Sequence, residues 1–205
     1  MSGTTAPPEG SRIERPAIQS YVVDITLLDS PIPVNRTLTV PAKLSFERLH
    51  DAIQIAMGWK DYHLFEFKYG PYIIAPPGQD EMGDRVTWDA GQVSLGRLSS
   101  APDDMLTYLY DFGDYWLHLI RIRRASADTA DRPHCLTGQG VCPPEDVGGV
   151  DGYAHFLDVL QHPDREEHAE LKAWADGWWD STPFAIDAVE AGLASKFGPR
   201  ARRSS

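Results

Sequence analysis

The stretch that most narrows the folds open to this chain is residues 105–123, where two runs of aromatic, aliphatic and β-branched residues flank Gly113 and Asp114. Successive side chains of a strand point to opposite faces, and a glycine-containing turn between two such runs signals an antiparallel hairpin. A two-residue type II′ turn at Gly113 and Asp114 would set Asp111 opposite Trp116 and diagonal to His118, on one face with Leu109 and Ile120. Backbones across such a diagonal are roughly 7 to 8 Å apart, so carboxylate and imidazole can meet. A carboxylate partner fixes the ring tautomer and raises its basicity, which a general base or a metal ligand needs. The same pair also occurs simply to satisfy a buried histidine, and the apolar company of Leu109, Trp116 and Ile120 favours that structural role.

Around this hairpin the first two thirds of the chain read as strands. Residues 21–28 are β-branched enough for one and break at Asp29, Ser30 and Pro31, and residues 35–40 look like the return strand. Ser45 can cap a helix with apolar positions at Phe46, Leu49, Ile53, Ala56 and Met57, and Gly58 follows as its stop. Residues 63–67 alternate as a strand that residues 72–74 can pair with, and residues 75–97 read as loop with one or two short strands. The last third turns helical. Asp151 is the expected cap of a helix facing inward with Tyr153, Phe156, Leu157 and Leu160. Pro163 is expected to begin a second helix carrying Leu171 and Trp174, ended by Gly177. Asp187 and Glu190 have the spacing of a capping box before a third helix, with Val189, Leu193 and Phe197 inward. Strands first and helices last predict an α+β fold, an antiparallel sheet covered on one side by one helix from the first half and about three from the last third. Residues 1–17 are expected to form a disordered leader, residues 18–198 a single domain, and residues 199–205 a basic disordered tail.

Charge is regional. The net charge is -11, and residues 145–190 hold 12 acidic and two basic residues, a balance of -10 that leaves only -1 elsewhere. A solvated helical face accounts for the acidic region, and so negative a chain is ill-suited to non-specific nucleic-acid binding. The basic residues Arg121, Arg123, Arg124 and Arg132 are a candidate anion contact, with edge-strand ion pairs to the acidic half as the structural alternative. No apolar run approaches the ~20 residues of a membrane helix and no signal peptide is evident, so a cytoplasmic protein is expected.

His63 is a second candidate, on a strand face with Phe65 and Phe67 and with Asp61 and Glu66 nearby. Cys135 and Cys142 lack C-x-x-C spacing and read as two free thiols. The loop after them presents adjacent carboxylates, Glu145 and Asp146, either as a plain connection from sheet to helices or as acid, base or metal ligand held over the sheet. Nucleophile elbows, phosphate loops and dinucleotide fingerprints are absent.

Several segments in order carry a resemblance. They are Leu49-His50-Asp51-Ala52-Ile53-Gln54 with Met57-Gly58-Trp59 and His63; Tyr110-Asp111-Phe112-Gly113-Asp114 with Trp116 and His118; Cys135-Leu136 with Gly138; and Cys142-Pro143-Pro144-Glu145-Asp146 with Gly148-Gly149, Gly152 and Tyr153. Together, over residues 21–193, the chain resembles the plasmid pRiA4b ORF-3-like family of bacterial and archaeal proteins. The resemblance implies one α+β domain of unestablished biochemical function, carried on plasmids as a passenger of mobile elements. Phe65 stands where relatives have a second histidine and Val147 where some have a third cysteine, so no metal site built on those positions is carried over. The leading expectation is a non-enzymatic or accessory module that recognises a protein or small-molecule ligand. Its cleft would combine the face bearing Asp111, Trp116 and His118, with Asp114 at its turn, and the loop of residues 142–149. No cofactor is expected under it. The rival is a metal-assisted hydrolase with His63, Asp111, His118 and Glu145 or Asp146 as ligands or acid/base groups. A third class is a nucleic-acid accessory protein acting through the arginines.

Overall fold

Alternation along the chain becomes register in the fold. The computed structural model describes residues 19–78, 87–98, 104–124, 130–177, 179, 181 and 184–199. In chain order the elements are β1 (Ser20–Leu27), β2 (Asn35–Pro41), α1 (Phe46–Met57), β3 (Phe65–Tyr69), β4 (Tyr72–Ala75), β5 (Thr87–Asp89), α2 (Leu95–Leu98), β6 (Asp104–Tyr110), β7 (Trp116–Arg124), β8 (His134–Gln139), α3 (Gly149–Gln161), α4 (His168–Ala175) and α5 (Ile186–Phe197). The strands form one sheet in the order β5-β4-β3-β6-β7-β1-β2-β8, antiparallel except for the parallel pair β4 and β5. The fold is α+β, as the order of strands and helices predicts.

Register places one set of side chains on the helix-covered face. Val23 lies between Leu38 and Ile122, Ile120 between Ile25 and Leu106, and Tyr108 between Phe67 and His118. All of these are buried, and α1 packs on them through Phe46, Leu49 and Ile53. Burying each large apolar side chain contributes on the order of 1.5–3 kcal/mol, so this layer dominates the stability of the fold. Helix α1 is bounded as expected: the Ser45 hydroxyl accepts the Arg48 N–H, and Gly58 closes the helix at φ 88°.

Several expectations are corrected. The β6–β7 hairpin ends on the pair Tyr110 and Trp116, so its loop is residues 111–115 rather than Gly113 and Asp114 alone. Asp111 takes φ 58° and its Oδ1 accepts the N–H groups of Gly113 and Asp114, which builds the longer turn. The odd loop length reverses the parity: Trp116 and His118 share a face with Tyr108 and Tyr110, not with Leu109, and Asp111 leaves the strand altogether. Strand β3 starts at Phe65, which leaves His63 in the preceding loop. Strand β8, whose HCLTGQ run lacks a clear period, was not anticipated.

Helix α3 begins at Gly149, not at Asp151, because Gly148 and Gly149 adopt φ 92° and 69°. A Cβ at Gly149 would stand 2.7 Å from the Asp114 carbonyl oxygen. Residues 163–167 form turns, and α4 starts only at His168. Asp187 and Glu190 do not cap α5. The Glu190 carboxylate instead accepts the Cys135 N–H and pairs with Arg132 and His134, fastening α5 to β8. Residues 1–17 and 200–205 lie outside the described residues.

Candidate functional site

Three loops meet beside Tyr110: residues 58–64 after α1, the hairpin turn 111–115, and residues 140–148 before α3. The first contributes His63, the second Asp111, and the third both Glu145 and Asp146. His63 Nε2 lies 3.2 Å from Asp146 Oδ1, 3.5 Å from Asp111 Oδ2 and 3.9 Å from Glu145 Oε2. That nitrogen is shielded from solvent, although the His63 side chain is 26% exposed, and it makes no hydrogen bond among the described residues. Asp111 is buried and Asp146 exposed, so the cluster opens to solvent on the Asp146 side.

The local conformations explain why carboxylates sit here. Asp61, Asp111 and Asp146 have φ of 59°, 58° and 57°, the left-handed region that aspartate tolerates better than most residues. In Asp111 the turn occupies Oδ1, which leaves Oδ2 aimed at His63. Asp114 Oδ2 accepts the Gly148 N–H at 3.1 Å, locking the hairpin turn to the loop that carries Asp146.

A buried polar network holds the histidine loop. His50 sits between Asp61 Oδ1 and the Tyr108 hydroxyl, 2.8 Å from each, and stacks on Phe65. A carboxylate only accepts, so His50 Nε2 carries the proton and Nδ1 accepts from Tyr108. Gln54 closes the ring, donating to Tyr108 and accepting the Asp61 N–H. The Tyr110 hydroxyl accepts the Tyr62 N–H and donates to Glu145, whose Oε1 also accepts the Lys60 N–H at 2.8 Å. Burial raises the Glu145 pKa, opposed by those two donors and by His63. Burial also lowers the His50 pKa against the pull of Asp61. The sequence reading noted Asp61 as a carboxylate near His63 but did not assign His50, Gln54 or Tyr108 a supporting role. The available signal was that His50 and Gln54, one helical turn apart, are polar residues on the core-facing stripe of α1.

His63, Asp111, Glu145 and Asp146 are thus brought together, whereas His118 and Trp116 are not. Trp116 is fully buried against Tyr153, and His118 donates from Nδ1 to the Tyr108 carbonyl at 3.2 Å in the packed core. Burial drops the His118 pKa to about 4. The Asp111–His118 pair that a two-residue turn would have allowed does not form. Cys135 and Cys142 are buried free thiols; desolvation raises Cys135 to about 11 and Cys142 further, which makes both poor nucleophiles at neutral pH. Arg121 and Arg123 lie on central strand β7, not on an edge, and Arg123 pairs with Asp24 of β1 at 2.7 Å rather than with the acidic half. The Arg124 side chain lies outside what is described.

No helix among the described residues is long and apolar enough to cross a membrane. The chain is 39% identical over 180 residues to the uncharacterized protein y4hQ of Sinorhizobium fredii (strain NGR234), covering 84% of this chain and 91% of that protein. The fold matches the crystal structure of a protein of unknown function, MM3350 of Methanosarcina mazei Go1. The TM-score is 0.71 at 28% identity, over 82% of this chain and 96% of that one. The family model described as plasmid pRiA4b ORF-3-like protein matches residues 19–188, and the chain belongs to that family.

Proposed function

We propose that this protein binds one divalent transition-metal cation through His63, Asp111 and Asp146, with Glu145 beside it. The observation that carries the reading is the spacing of the ligand atoms. Donors about 2.0–2.2 Å from a tetrahedral zinc are roughly 3.3–3.6 Å apart, and His63 Nε2 stands 3.2 and 3.5 Å from its two aspartate oxygens. One representative atom from each of the three residues falls within 4.8 Å of the others. Without a cation three carboxylates crowd one ring nitrogen; a dication at their centre would satisfy all of them. An imidazole among carboxylates suits Zn²⁺ or Mn²⁺ better than Ca²⁺ or Mg²⁺.

The test is thermal unfolding of tag-free protein with Zn²⁺, Mn²⁺ or Mg²⁺. At 100 times Kd a bound ion stabilises by about 2.7 kcal/mol, or roughly 5–10 °C for a chain of this size. Zn²⁺ or Mn²⁺ should raise Tm by that amount in the wild type and not in His63→Gln. Equal responses in the two proteins would defeat the proposal.

The position of Glu145 favours a second, dependent reading, metal-assisted hydrolysis. Its carboxylate is buried, its pKa is raised, and Tyr110 and Lys60 fix it 3.9 Å from His63, where it could take a proton from water at the metal centre. Metal-dependent hydrolysis of p-nitrophenyl acetate or phosphate that is lost in Glu145→Gln would support it. Metal binding with no turnover of either ester would leave the protein as a binding module alone.

A further inference from the structure

A cavity of about 270 Å³, lined in part by Glu145, lies between the C-terminal end of α1, residues 140–145 and the start of α5. Arg36 lines it, and the residue is 3% exposed. Among the described residues no carboxylate meets that charge. The guanidinium donates instead to four backbone carbonyls, those of Ala56, Asn35, Gln139 and Gly140. Among the described residues those bonds use four of its five N–H groups and leave one on Nη2. Phe184 stacks on the guanidinium, 4.5 Å from ring centroid to Cζ. Part of the arrangement is structural: Arg36 satisfies the Ala56 carbonyl at the end of α1. The helix terminus offsets only roughly half an elementary charge, so the cavity keeps a positive floor. Its walls are aromatic, with Trp59, Trp179 and Phe184 among the lining residues.

We infer that this cavity is a binding site for a small organic carboxylate with a planar apolar body, its charge set against Arg36 and its body among the aromatic rings. One spare donor and one buried cation suit a monoanion, whereas a phosphate dianion would call for more donors. The volume lies just below the ~300–1,000 Å³ of drug-sized ligand sites, which limits the ligand to a small metabolite. Glu145 also lines the cavity, and its negative charge works against an anion beside it; Lys60 N–H and the Tyr110 hydroxyl hold its oxygens, so the ligand's carboxylate is assigned to the Arg36 end. The site stands apart from the metal reading and is tested in EDTA, so that failure of one does not decide the other.

Benzoate, phenylacetate and indole-3-acetate would be titrated by calorimetry against their own amides. Because a tenfold preference corresponds to about 1.4 kcal/mol, one well-met charge is sufficient to expect at least ~10-fold tighter binding of one carboxylate than of its amide, with Kd below ~1 mM. Arg36→Gln should abolish the preference. As that variant risks misfolding, Ala188→Trp plugs the cavity from an exposed position on α5. It should cost at least ~10-fold in affinity with circular dichroism and Tm unchanged. The inference is overturned if none of the three acids binds at ~10 mM, if acid and amide bind alike, or if Ala188→Trp binds as the wild type does.

Discussion

Two histidine-bearing regions stand next to each other in this fold and behave oppositely. His118 lies on β7 within a face where Tyr108, Trp116 and Ile120 are all fully buried. His63 lies on a loop, 26% exposed, among three carboxylates drawn from two further loops. Strand geometry fixes the first region through pairing and packing, which leaves no room for a ligand and forces the imidazole to stay neutral. Loop geometry frees the second from apolar neighbours, and left-handed aspartates let carboxylates converge where a strand would alternate them apart. Chemistry-bearing residue types therefore take their meaning from the backbone that carries them. The same His and Asp vocabulary is structural on the sheet and ligand-like at its end.

The largest effect expected from breaking this contrast lies in the packed region. Trp116→Ala should cost roughly 3–5 kcal/mol, or about 10 °C or more in Tm, by leaving a large cavity in the core. A loss below ~1 kcal/mol in urea unfolding would show that the face is open after all.

The next effect is a pH dependence peculiar to His118. Its folded pKa, about 4, is below the ordinary histidine value of 6.5 because burial disfavours the charged ring. Between these values the unfolded chain binds the proton and the folded chain does not, so stability falls as pH drops through this window and is fully present above about 6.5. The loss is on the order of 3 kcal/mol. Chemical denaturation from pH 7 to 4 should show a shallower decline in His118→Gln than in the wild type.

Smaller still is the stability effect of Asp111→Asn. Asparagine tolerates the left-handed backbone and keeps a side-chain oxygen for the turn, so unfolding should change by less than ~1 kcal/mol. Metal affinity should nonetheless fall by at least ~10–100-fold, the range known for groups that merely support a ligand. Arg123→Ala, on an exposed ion pair with Asp24, should shift stability by less than ~0.5 kcal/mol, measured in the same denaturant series.

How far this contrast was legible beforehand follows from what a sequence encodes locally. Period-two and helical patterns revealed β1, β2, the hairpin strands and α1, because propensity, caps and burial agree there. The loop length at residues 111–115 was hidden. It depends on Asp111 entering the left-handed region and folding its carboxylate back on two N–H groups, and nothing in Asp-Phe-Gly-Asp distinguishes that from a shorter turn. The error carried through by parity. It tied Asp111 to His118 and put Trp116 and His118 on an imagined cleft, while Glu145 and Asp146 were placed on the right loop and His63 was named as a candidate but put on a strand. The convergence of those loops is a long-range fact, set by Glu145 bridging Lys60 and Tyr110 and by Asp114 holding Gly148. The support from His50 and Gln54 was visible only as two polar residues on an apolar helix face, and that from Asp61 only as a carboxylate close to His63 in sequence.

The central claim is that the loop-borne cluster, and not the packed histidine face, is where this protein meets a ligand, and that the ligand is a metal ion. Elemental analysis tests it most directly, on tag-free protein equilibrated with Zn²⁺ or Mn²⁺ and then desalted, beside Asp111→Asn and His118→Gln. The account predicts about one metal ion per wild-type chain, the same in His118→Gln, and a loss to near zero in Asp111→Asn. Wild-type protein without stoichiometric metal, or Asp111→Asn retaining as much as the wild type, would contradict it.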